Sequence, residues 1–103
     1  MISVNMILTT ILQEKQRIEY MLAKYREELD KLPKGSISEK HNGTKVYYYL
    51  KYREGKKVIS LYICKADIDC VRAQVERRKH IEVMIKSLQE ELAIADRILE
   101  AEL

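Results

Sequence analysis

The residues able to engage charge or aromatic ligands are crowded between Lys40 and Tyr62. Five of the seven tyrosines fall between Tyr47 and Tyr62, and Phe and Trp are absent from the chain. Lys45, Tyr47, Tyr49, Lys51 and Arg53 occupy every second position, with Lys40 before them and Lys56 and Tyr62 after. Cations at such spacing can track phosphates, and tyrosine rings can stack on unpaired bases or fill a protein pocket. Catalytic chemistry finds no comparable footing. There is no nucleophile motif, no paired-carboxylate signature, and residues 35–43 lack the Gly-Lys-Ser/Thr ending of a phosphate loop. His41 adjoins a turn and His80 sits in a charged stretch, so both read as surface residues. Cys64 and Cys70 are separated by five residues without a companion pair, which argues against zinc, and nothing orients either as a nucleophile. The expectation is a non-enzymatic protein with no cofactor and no metal.

Alternation along a strand decides which of these residues act together. Asn42-Gly43 is a strong hairpin signal, and Glu54-Gly55 marks a second turn. Strands are expected over 36–41, 45–53 and 56–63, joined too tightly for any parallel pairing, so they form a three-stranded antiparallel meander over 36–63. A two-residue turn centred on Glu54-Gly55 would set Leu50 opposite Ile59, Tyr48 opposite Leu61 and Val46 opposite Ile63. One centred on Asn42-Gly43 would set Ile37 opposite Tyr48. That apolar face must be covered, and only the helices can cover it. The other face then carries Lys40, Lys45, Lys51, Arg53 and Lys56 with Tyr47, Tyr49 and Tyr62, beside Ser36, Ser38, Val58 and Ser60, and no acid except at the turn. In this register Arg53 opposes Lys56 and Lys40 opposes Lys45, and like charges directly opposite are destabilising. A face tolerating that repulsion is a candidate for meeting a polyanion. A plain solvated face of long-stemmed residues protecting the sheet has the same composition.

Long helices must hold this meander. Val4, Ile11, Ile18, Tyr25 and Leu32 recur every seven residues, with Leu8, Leu22 and Leu29 as the partner row and Lys15 as its one polar interruption. Spacings of three and four place both rows on one helical seam, giving a helix over 4–32 that Pro33 stops. A second helix is expected over 67–102, opened by Asp67 and Asp69. Its seam runs through Ile81, Ile85, Leu88, Leu92, Ala95 and Leu99, while Ile68, Val71 and Val75 follow a different phase that shifts near Arg78. At a rise of about 1.5 Å per residue it is on the order of 50 Å long. An antiparallel helix pair follows. Met84, Ile94 and Ile98 widen the apolar stripe beyond a two-helix seam, which points to a homodimeric, coiled-coil-like bundle. The fold class is therefore α+β, two long antiparallel helices flanking an inserted meander. A second basic cluster, Arg72 with Arg77, Arg78, Lys79 and His80, reads as a solvated helix face. It would extend the positive surface if the helix begins against the sheet.

The chain has 103 residues, 47% hydrophobic and 34% charged, which fits one globular domain and excludes disorder. Net charge is +3, permitting a polyanionic partner without requiring one. Two cysteines are too few for a secreted disulfide framework. The apolar opening from Met1 to Leu12 has no basic leader or cleavage site and is too short to span a bilayer, so a cytoplasmic protein without a membrane role is expected.

The run Leu32-Pro33-Lys34-Gly35-Ser36, with Gly43-Thr44-Lys45-Val46-Tyr47-Tyr48-Tyr49-Leu50-Lys51-Tyr52-Arg53-Glu54-Gly55-Lys56-Lys57-Val58, resembles a pattern in small uncharacterised bacterial proteins. These carry a tyrosine- and lysine-rich hairpin between helices. The hairpin is also loosely similar to the arm-type DNA-binding sheets of tyrosine recombinases, which place three strands against DNA. In size and design the chain is similar to phage and mobile-element proteins, including inhibitors of CRISPR nucleases. These resemblances and the basic face together lead to three expectations. The first is a nucleic-acid-associated module in which Lys40, Lys45, Lys51, Arg53 and Lys56 contact phosphates while Tyr47, Tyr49 and Tyr62 stack or pack. The second is a mobile-element inhibitor that binds a nucleic-acid-processing protein, and the third a structural helical assembly protein. No small-molecule substrate is expected.

Overall fold

The computed structural model describes residues 4–102, with side chains from 6 to 101. The Val4 side chain of the predicted seam and the first three residues of the apolar opening lie outside the described residues. The element order is α1 (Val4–Leu29), β1 (Ser36–Asn42), β2 (Lys45–Glu54), β3 (Lys57–Ile63) and α2 (Ile68–Glu102). Two helices flank a three-stranded antiparallel sheet of order β1-β2-β3, the expected α+β class. The chain divides into a helical unit, formed up to Asp30 and from Ile81 onward, and a sheet unit, Lys31–His80.

In the helical unit Ile18, Leu22 and Leu88 form a buried cluster, with Met21, Tyr25, Ile85 and Leu92 packed against it. Lys15, the polar break in the seam, meets Asp96 at 2.7 Å. Early α1 residues therefore meet late α2 residues, as antiparallel packing requires. Ile81, Leu88 and Ala95 are buried and Ile85, Leu92 and Leu99 half-buried, so the α2 seam lies where the spacing of three and four places it. Val83, Ile94 and Ile98 stay exposed on α2, as do Met6, Ile7 and Leu12 on α1.

Helix α1 ends at Leu29, three residues before the predicted end at Leu32. The prolyl ring of Pro33 would clash with the carbonyl four residues back, which is that of Leu29, and proline has no N–H to donate to it. The restriction on the residue before proline bears on Leu32 alone and does not reach back to Leu29. The Leu32 carbonyl, outside the helix, accepts a hydrogen bond from Arg78 Nη1 at 2.9 Å. At the start of α2 the Asp67 carbonyl accepts from the Val71 N–H at 2.9 Å, the backbone pattern of an N-cap residue.

The sheet's register departs from expectation by two residues at both turns. Asn42 pairs with Lys45 and Glu54 with Lys57, so the central turn residues are Gly43-Thr44 and Gly55-Lys56. Gly43 takes φ 65° and Thr44 no positive φ, which matches a II′ turn, where only the first central residue needs the left-handed region. The predicted Asn42-Gly43 turn would have needed it at both. Ile37 therefore opposes Leu50, Leu50 opposes Leu61, Tyr48 opposes Ile63 and Tyr52 opposes Ile59. A shift of two leaves every residue that stays in a strand on its predicted face, while Lys56, predicted on the basic face, passes into the turn.

Leu50, Ile63, Ile68 and Val75 make the sheet unit's core, with Ile37, Tyr48 and Val71 against it. The distinct phase of Ile68, Val71 and Val75 thus exists to cover the sheet. Cover is incomplete, contrary to expectation: Leu61, on the same face as Leu50, is 48% exposed.

Candidate nucleic-acid interface

The opposite face of the sheet brings together seven of the eight predicted site residues. Cross-strand pairing lays them out in rows: Asn42 with Lys45, Lys40 with Tyr47, Ser38 with Tyr49 and Tyr62, Ser36 with Lys51 and Ser60, then Arg53 with Val58. The eighth, Lys56, sits in the β2–β3 turn. Both predicted like-charge pairs are absent, since Lys40 opposes Tyr47 and Arg53 opposes Val58. Tolerated repulsion is therefore no evidence for a ligand here.

A different feature takes its place. Tyr62 contacts both its neighbours, with ring centroids 6.5 Å from Tyr47 and 5.8 Å from Tyr49, the latter edge-to-face. Such arrangements suit the ring quadrupole and hold the rings in place. Tyr47 and Tyr49 are half-buried, while Tyr62 is 56% exposed. Lys40 and Lys45 bracket this trio on one side, Lys51 and Arg53 on the other, and all four are exposed. Among the described residues none of the four lies within 4.0 Å of an acid. The strand acids, Glu39 and Glu54, alternate to the other face, where Glu39 lies 3.6 Å from His41. Two adjoining shallow depressions share Lys40 and Tyr49. One is completed by Ser38, Glu39, Lys51 and Ser60, the other by His41, Asn42 and Tyr47. The serines were legible as members of the face but not as the lining of a depression, because that depends on the register.

The second basic cluster does not extend this surface. Arg72 lies over the Tyr48 ring at 5.9 Å, and Tyr48 belongs to the apolar face that α2 covers. Arg78 is half-buried and holds the Leu32 carbonyl. Lys79 pairs within its own helix with Glu76 at 3.8 Å. Among the described residues no three His, Cys, Asp or Glu side chains are grouped to hold a metal, and Cys64 and Cys70 are exposed free thiols. No described helix is long and apolar enough to cross a membrane.

Residues 9–73, more than half of the chain, match the sequence pattern of a domain of unknown function, DUF6788. The chain belongs to the DUF6788 family. The family match takes in most of α1, the whole sheet, and the Ile68 and Val71 turns that cover it. No curated protein and no solved structure matches the chain.

Proposed function

We propose that this chain is a non-enzymatic nucleic-acid-binding module of the cytoplasm, with the Tyr/Lys face of the sheet as its contact surface. One observation carries the reading: four exposed cations with no acid within 4.0 Å among the described residues bracket a packed tyrosine trio. The strand acids Glu39 and Glu54 alternate to the other face, although Glu39 also lines the depression beside Lys40. A solvated face needs such cations only as long stems that cover and protect the sheet, whereas a phosphate backbone gains from each cation through counterion release. Lys40, Lys45, Lys51 and Arg53 take the phosphates, Tyr47, Tyr49 and Tyr62 supply apolar contact, and Lys56 reaches from the turn.

The test is salt-titrated binding to short DNA and RNA, with Lys51→Glu/Arg53→Glu beside wild type. Wild type binds with affinity falling steeply as salt rises, and the variant loses about tenfold or more with a slope shallower by about two. No binding to any nucleic acid at low salt would sink the reading.

Exposed Leu61 on edge strand β3, on the face opposite the Tyr/Lys surface, favours a second reading, a phage- or mobile-element-type inhibitor that docks that face of its sheet on a nucleic-acid-processing protein. Leu61→Asp would abolish that association and leave nucleic-acid binding unchanged.

A further inference from the structure

We infer that the face is built for single-stranded nucleic acid, lying along β2 with an unpaired base stacked on the tyrosine trio. This rests on the nucleic-acid reading and narrows it to one ligand class. Three observations carry it. First, the aromatics occupy the centre of the face and the cations its two ends, so a chain crossing the face meets charge, then rings, then charge. In a duplex the base faces are stacked on each other, and rings at the centre of the contact would have no flat partner. In a single strand every base offers one, which is how aromatic platforms in charged grooves bind without sequence preference. Second, Tyr62 is the most exposed of the three, and its edge contact with Tyr49 and tilted contact with Tyr47 hold the trio before ligand arrives, lowering the entropy lost on stacking. Third, Ser38 and Ser60 flank Tyr49 in the adjoining depression, with hydroxyls able to bond base edges or a ribose hydroxyl.

The direction follows from the layout. Lys45 and Arg53 are both on β2 and roughly 26 Å apart at 3.3 Å per residue, while the sheet is only about 10 Å wide between its outer strands. Cations spread that far along one axis match an extended backbone running parallel to β2.

The experiment titrates the full chain with single-stranded DNA, single-stranded RNA and duplex DNA of matched length, across salt, for wild type, Tyr62→Ala and Tyr62→Phe. Wild type should bind single strands about tenfold or more tighter than duplex, with a log–log salt slope of about −2.8 for four phosphate contacts. Tyr62→Ala should weaken single-strand binding roughly 5- to 150-fold with the slope unchanged, and Tyr62→Phe should retain it. Tyrosine fluorescence of the wild type should be quenched on binding, a readout that stands even if Tyr62→Ala fails to fold. Preference for RNA would assign Ser38 and Ser60 to the ribose hydroxyl, and equal binding of DNA and RNA would leave stacking and phosphates as the whole contact; both support the single-strand assignment. Duplex binding as tight as single-strand binding, a folded Tyr62→Ala variant that binds like wild type, or binding without quenching would overturn it while leaving the nucleic-acid reading in place. Failure of all three ligands at low salt would remove both.

Discussion

Lys15 and the four cations of the sheet face are both departures from what their surroundings ask for, and the chain treats them oppositely. Lys15 interrupts the apolar seam of α1, and Asp96 of α2 answers it at 2.7 Å. That carboxylate raises the lysine pKa, first through the hydrogen bond and then through its charge. Lys40, Lys45, Lys51 and Arg53 have no such answer, although Glu39 and Glu54 stand on the same strands one face away. Where a charge serves the fold, an acid is placed to meet it. On the sheet face the acids at neighbouring positions are turned aside and the cations stand exposed. Arg72 and Arg78 are also met from within the fold, though not by acids: one lies over the Tyr48 ring and the other donates to the Leu32 carbonyl.

The largest effect that would break this contrast comes from Gly35. It holds φ 107°, and a Cβ added there would run into the Lys51 carbonyl oxygen and lie 2.9 Å from Tyr52 Cβ. The glycine before β1 therefore seats the backbone that carries one unanswered cation. Gly35→Ala combines backbone strain with overpacking against main chain and should cost about 2–6 kcal/mol, read as a fall in the urea midpoint. A variant as stable as wild type would show that Lys51 is not positioned from this side. Leu50→Ala works from the other face, beneath Tyr49 and Lys51. Emptying the centre of the Leu50, Ile63, Ile68 and Val75 cluster should cost about 2–5 kcal/mol. Hydrogen exchange should then report opening of β1–β3, and unchanged protection there would mean that the cluster is not what holds the sheet.

Gly35 also shows where sequence reading ends. Its neighbour Pro33 announces a break, but contact with Lys51 is sixteen residues away in the chain and depends on how β1 and β2 pair. Both turns offered two solutions, because Asn42-Gly43-Thr44 and Glu54-Gly55-Lys56 each hold a glycine that can stand second or first in the turn. With the glycine second the expected register results; in the structure it stands first, and every cross-strand partner moves by two. Faces survived because side chains alternate with period two, so the tyrosine and lysine positions were legible while their neighbours were not. The heptad seams were legible for a similar reason, since Ile18, Leu22 and Leu88 are fixed by spacing alone. The fate of Arg72 was not, because knowing that a helix covers the apolar face does not say which ring of that face an arginine on the helix will meet.

The smallest effect belongs to the cation that is answered. The raised pKa of Lys15 means that its contribution to stability is complete below the ordinary lysine value of 10.5 and is lost as pH climbs through the higher folded value. Lys15→Met removes this titration and fills the seam with an apolar side chain, so the variant should equal or exceed wild type in stability. The difference between the two should grow in the variant's favour only above pH 10.5. Urea titrations of both proteins across that range measure it.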